Sequence, residues 1–85
     1  KGVIRMTKQD IFLKVALIIE DETEIPQEEI QEDSMLMDDL ELSSLETMII
    51  VTTIEETFHI RLHEKDWWKL ITVKDVVDVI YEAVE

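Results

Sequence analysis

The chain has 85 residues, no cysteine, one glycine, one proline, and a net charge of −13 from 21 acidic and 8 basic side chains. This length bounds it to one small domain with a modest core, and the lack of cysteine excludes a disulfide framework, a thiolate metal site and a thiol nucleophile borne by the chain. So few glycines and prolines favour helices over hairpins, the negative charge repels nucleic acid and anionic membrane, and with no spanning apolar run or leader pattern a soluble, cytoplasmic monomer is expected.

Lys1 to Met6 reads as an N-terminal extension and residues 7–85 as the folded helical domain. Thr7 with Asp10 three positions on marks a helix start. Ile11, Phe12, Val15, Ala16 and Ile19 follow at helical spacing, Leu13 and Ile18 widen the stripe, and the helix is expected to end near Asp21. From Val15 to Ile60 there is no Lys or Arg against fourteen Asp and Glu. Such segregation creates a field that steers basic partners.

Glu22 to Asp39 lacks clean periodicity, contains Pro26, and is long for a connection between helices. Ile25, Ile30, Leu36 and Leu40 are its expected anchors; Met35 and Met37 fill gaps in the core or line a site that changes shape, and the core-filling reading is the favoured one. Asp33, Asp38 and Asp39 do not make a calcium loop, because the glycine and the twelfth-position glutamate that such a loop needs are missing.

Ser43 followed three residues later by Glu46 is a capping box, which makes Ser43 the N-cap and Ser44 the first residue of a second helix running to about Phe58. The cap does not use the Ser44 hydroxyl, which is expected to face solvent beside unpaired N–H groups at the positive end of the helix dipole. Ile50, Ile54, Phe58 and Val51 form the expected core face, and Leu45, Met48 and Thr52 another stripe. Glu55 and Glu56 stand near the C-terminal end, where the dipole disfavours them with no evident structural return, so a functional role is expected.

His59 and His63 read as loop histidines and not as a zinc pair. A short helix is expected from Glu64 to Leu70, with Trp67 facing inward beside Leu70 and Ile71 and Trp68 partly exposed. Thr72 with Asp75 opens a last helix whose stripe is Val73, Val76, Val77, Ile80 and Val84. The whole is an all-α small four-helix bundle, three longer helices and a short third one, with a long first loop.

From Asp39 through Ser43-Ser44-Leu45 to Met48 the sequence resembles the acyl carrier proteins, in which an Asp-Ser-Leu at the start of the second helix bears 4'-phosphopantetheine on its serine. The four-helix spacing fits that family from about Thr7 to Val84, although an aspartate is usual where Ser43 stands and an acidic residue is common at Ile49. The resemblance implies a non-enzymatic carrier that holds acyl groups as thioesters on phosphopantetheine at Ser44. It implies partners with basic docking patches, namely a phosphopantetheinyl transferase and acyl-transferring or synthase enzymes of fatty acid, polyketide or related biosynthesis. Asp39, Leu45, Glu46, Met48, Thr52, Glu55 and Glu56 are the implied recognition residues. Leu36, Leu40, Ile50, Ile54 and Leu62 are the implied lining of an acyl pocket, although they read as core in any bundle. Two alternatives stay open: an aminoacyl or peptidyl carrier, and an acidic helical adaptor without a prosthetic group.

Overall fold

The computed structural model describes residues 6–84 of the chain. Four helices occupy it: α1 (Lys8–Thr23), α2 (Ser44–Phe58), α3 (Glu64–Trp67) and α4 (Val73–Val84), with one 3₁₀ turn at Gln27–Glu29. Among the described residues the only β pairing is an isolated bridge between Met35 and Thr72, so the fold is a helical bundle. The expected extension falls outside the described residues except for Met6, which is half-buried against the core.

The capping box of α1 forms: Thr7 Oγ1 accepts from the Asp10 N–H at 3.0 Å and Asp10 Oδ2 from the Thr7 N–H at 3.2 Å. The helix runs two residues past the expected Asp21. No glycine is at hand to stop it, so Glu24 takes the left-handed conformation (φ 66°) and returns its N–H to the Glu20 carbonyl at 2.7 Å. Ile11, Val15, Ala16, Ile18 and Ile19 of α1 are buried against both α2 and α4. Leu13 is exposed, contrary to the wider stripe expected from sequence. It lies two residues from both Ile11 and Val15, roughly 200° around the helix from each, on the far face.

Ile50 and Ile54 of α2 and Val73, Val76, Val77 and Ile80 of α4 complete the three-helix core, and Val51 is buried outside that cluster. Val84, expected in the α4 stripe, is exposed at the last residue of the helix. Burial of such a side chain contributes about 1.5–3 kcal/mol, which lets packing hold an α4 rich in β-branched residues.

The long connection between α1 and α2 is fastened to the start of α4. The Leu36 N–H donates to the Ile71 carbonyl (2.9 Å), the Val73 N–H to the Ser34 carbonyl (3.0 Å) and the Lys74 N–H to the Glu32 carbonyl (2.8 Å). The last two are first-turn donors that a helix cannot satisfy for itself, and Thr72 Oγ1 takes the third from Asp75 at 3.2 Å. Met35 is exposed at the bridge to Thr72, and in the turn that follows Leu36 is buried and Met37 exposed, so neither methionine fills the core as expected. Ile30 and Leu40 are buried and Ile25 is half-buried, as anchors.

α3 stops at Trp67, three residues short of Leu70, and Trp68 and Lys69 form a turn. Ile71 is exposed instead of sharing an inward face with Trp67. Its N–H donates to the Lys69 carbonyl at 3.0 Å and to Asp75 Oδ2 at 3.1 Å and its carbonyl accepts from Leu36, and on either side of it Leu70 is half-buried and Val73 buried.

Across the α1–α4 seam, Asp78 receives Lys8 and Lys74 at 3.1 Å each, and the Lys8 ammonium lies 5.2 Å from the centre of the Tyr81 ring. The hydrogen bond from Lys74 is the main reason that the Asp78 carboxyl lies below its ordinary value of 3.8, against an opposing effect of burial. A carboxyl depressed in the folded state stabilises it above the unfolded value, and that contribution is lost as pH falls through the folded one. Asp78→Asn should lower the melting temperature at pH 7, and the deficit should shrink as the pH is taken below 3.8, in melts recorded across a pH series.

Candidate functional site

The approach to α2 is built by alternation around one strained residue. Leu40 and Leu42 are both buried, and Glu41 between them is left-handed (φ 56°), which costs about 1–2 kcal/mol in a residue other than glycine. The Leu40 N–H bonds to the Met35 carbonyl at 3.0 Å and the Leu42 N–H to the Leu36 carbonyl at 3.1 Å. Asp39 Oδ2 accepts from the Met35 N–H at 2.8 Å and closes the turn. Two leucine side chains in the core thus fix where the next two residues, the serines, emerge.

Ser43 is the N-cap, extended at φ −76° and ψ 168°. Its Oγ accepts from the Glu46 N–H at 3.1 Å, while Glu46 Oε1 accepts from the Ser43 N–H at 3.0 Å. Its carbonyl accepts from both the N–H and the Oγ1–H of Thr47, each at 2.9 Å. Ser44 is the first helical residue, exposed, and its hydroxyl takes part in none of these bonds. Among the described residues the N–H groups of Ser44 and Leu45 have no partner, which leaves two donors and the dipole's positive end beside a free hydroxyl. Ser34 is unlike it: buried in the loop, with its Oγ accepting from the Gln31 N–H at 3.0 Å.

A groove of about 480 Å³ opens at Ser44, lined otherwise by Met37, Thr47, Trp67 and Trp68. Sequence reading did not bring these residues to Ser44. Met37 is exposed in the turn at residues 36–39, and the tryptophans stand at the end of α3 and in the turn after it, just ahead of the segment to which the long loop is fastened. Trp67 is half-buried and Trp68 is 83% exposed. A free nucleophilic oxygen beside unpaired N–H donors and an uncharged groove fits a phosphodiester-linked arm that is otherwise neutral.

The expected recognition residues divide in two. Leu45 (67% exposed), Met48 (50%), Thr52 and Glu56 face outward on α2, joined by Ile49. Glu46 is half-buried and engaged in the cap. Asp39 is exposed, but its carboxylate closes the loop. Glu55 does have the structural return that the sequence did not reveal: its Oε2 accepts from the Leu62 N–H at 2.8 Å, and its carbonyl accepts from the His59 and Ile60 N–H groups as the chain leaves α2. The dipole cost of a carboxylate there is offset by a charge-assisted hydrogen bond.

His59 ends α2 in the left-handed conformation (φ 58°), and His63 precedes α3. Of the implied acyl lining, Leu36, Leu40, Ile50 and Ile54 lie in the main core, and Leu62 is buried at the backbone held by Glu55.

The family model described as "Phosphopantetheine attachment site" matches residues 14–80. An acyl carrier protein of Kineococcus radiotolerans is 36% identical over 77 residues, covering 91% of this chain and 95% of the relative. One of Myxococcus xanthus is 32% identical over 77 residues, covering 91% of this chain and 98% of its own. The solved structure of the acyl carrier protein from Enterococcus faecalis superposes with a TM-score of 0.76 at 29% identity, covering 92% of this chain and 99% of that one.

Two substitutions separate the structural duties. Ser43→Ala should cost about 1 kcal/mol through loss of the cap, read by denaturant unfolding. Glu55→Ala should cost about 1–3 kcal/mol because it strands the part-buried Leu62 N–H, whereas Glu56→Ala should change stability by less than about 0.5 kcal/mol.

Proposed function

The chain belongs to the acyl carrier proteins, whose prosthetic group is 4'-phosphopantetheine, and from that premise we propose that the group is attached to Ser44. The observation that carries the assignment is the division of labour at the start of α2: Ser43 Oγ is spent on the cap, and Ser44 Oγ is exposed and free of it. The cofactor supplies a thiol on a long flexible arm, which this cysteine-free chain cannot supply itself. In loading, Ser44 Oγ forms a bond to the phosphorus of coenzyme A that bears pantetheine, the bond from that phosphorus to 3',5'-ADP breaks, and the hydroxyl proton passes to a base of the phosphopantetheinyl transferase. The unpaired N–H groups of Ser44 and Leu45 then face the phosphodiester and partly offset repulsion from Asp38, Asp39 and Glu41.

The carrier unit comprises residues 7–85 and works as a cytoplasmic monomer. Among the described residues no helix is long and apolar enough to cross a membrane. Partners with basic docking patches meet the outer face of α2 through Leu45, Met48, Thr52 and Glu56, with Glu46 and Asp39 adding to the field and Glu55 contributing its charge from a fixed position. An acyl cargo that retreats into the bundle enters the seam of Leu36, Leu40, Ile50, Ile54 and Leu62, and has to displace side chains already packed there.

Ser44→Ala should retain the helical circular dichroism and cooperative melting, and should take no mass from coenzyme A and a broad-specificity transferase, while the parent protein gains one phosphopantetheine mapped to the peptide containing Ser44. An unmodified parent protein, tested with several transferases, would return the chain to the adaptor reading. Association with a basic partner should weaken steeply with salt, since exposed charges are screened beyond about 8 Å at physiological ionic strength. Glu56→Lys should slow that association at unchanged stability, whereas Glu55→Lys should slow it and also lower the melting temperature.

A further inference from the structure

The groove beside Ser44 has a composition unlike the rest of the surface. In a chain of net charge −13 its five lining residues, Met37, Ser44, Thr47, Trp67 and Trp68, carry no formal charge. Met37 is 55% exposed and Trp68 83% exposed, large apolar side chains that water covers poorly and that mark contact sites when they cluster. Behind that wall, among the described residues, the Nε1–H of Trp67 is buried without a partner, so the face that Trp67 presents to the groove is apolar ring.

Resting on the attachment at Ser44, we propose that the groove is the docking shelf of the pantetheine arm itself. The arm lies across Met37, Trp67 and Trp68 when no partner is bound. Beyond its phosphate the arm is uncharged, with a branched apolar segment and two amides, so it matches a neutral wall rich in aromatic and thioether surface. Its tether is the wall's own Ser44, so a weak contact suffices: a short link gives an effective concentration in the millimolar range. The shelf is on the outside of the bundle, distinct from the seam of core leucines and isoleucines, and it shields the arm without displacing any packed side chain.

The test uses the two tryptophans, which are the only ones in the chain, and the arm's thiol, which is the only thiol once the cysteine-free chain is loaded. Protein whose single phosphopantetheine is verified by intact mass is compared with the unmodified protein by acrylamide quenching of tryptophan emission. Docking predicts a fall in the quenching constant of about twofold, which corresponds to an arm on the shelf at least half the time, with a blue shift that persists in Trp67→Phe, where Trp68 alone reports. In loaded Trp68→Ala and Met37→Ser, both changed at exposed positions, the arm's thiol should react with a neutral disulfide at least about twofold faster than in the loaded parent. Unaltered quenching together with equal thiol reactivity in verified loaded protein would overturn the shelf while leaving the attachment standing. Shielding that appears only after an octanoyl group is added would overturn it as well, by assigning the groove to cargo. A protein that takes no group at Ser44 would overturn the attachment and the shelf together.

Discussion

The start of α4 cannot satisfy its own first N–H groups, and everything around Ser44 depends on what satisfies them. The carbonyls of Ser34 and Glu32 take the Val73 and Lys74 donors, and the Ile71 carbonyl takes Leu36 in return. A long connection that would otherwise cost entropy to hold still is thereby made part of a helix terminus. With Leu36 fixed inward, the turn at residues 36–39 leaves Met37 outside, and the alternation about Glu41 buries Leu40 and Leu42. The same three bonds bring the α3–α4 connection, with Trp67 and Trp68 just before it, to the side of α2 where Ser44 emerges. A fastening between two backbone segments thus sets both the position of the serine and the composition of its surroundings.

Adjacent serines with the same side chain receive different fates from one register. Ser43 lies outside the helix, where its oxygen is spent on the Glu46 N–H, and Ser44 lies inside, where no intrahelical donor needs it. Shift the start of α2 by one residue and the roles exchange. The register is held from both directions, by Leu42 buried before the cap and by Ile50, Val51 and Ile54 buried after it. Serine in place of the family's usual aspartate still satisfies the cap while removing one carboxylate from the start of α2.

Acidic side chains in this protein are not one population. Glu56 is a solvent-facing charge, Glu55 ties off the exit of α2, Asp39 closes the turn before it, and Asp78 binds α1 to α4 through two lysines. Only the first kind can be exchanged freely for the sake of recognition. A surface read as a field for basic partners therefore rests on carboxylates that also hold loops in place, and charge reversal at the two kinds of position has separable consequences.

The helices, their caps and the exposed serine at the start of α2 were legible in sequence because each is specified within four residues: Thr7 with Asp10, Ser43 with Glu46, Thr72 with Asp75, and apolar stripes at helical spacing. The family resemblance was legible for the same reason, since its motif is a local one. What sequence left undecided was non-local. Leu13, Val84 and Ile71 read as apolar positions on expected faces, and whether another element covers them depends on where the neighbours end and where the chain leaves its helical course. Met35 and Met37 carried no period that told inside from outside; the bridge from Met35 to Thr72 and the turn after it decided that. Glu55 looked misplaced because its partner, the Leu62 N–H, lies beyond a helix end at which the chain reverses. The tertiary structure alone put Trp67, Trp68 and Met37 beside Ser44, because hydrogen bonds between distant backbone segments, unlike helix caps, leave no mark in the spacing of side chains along the chain.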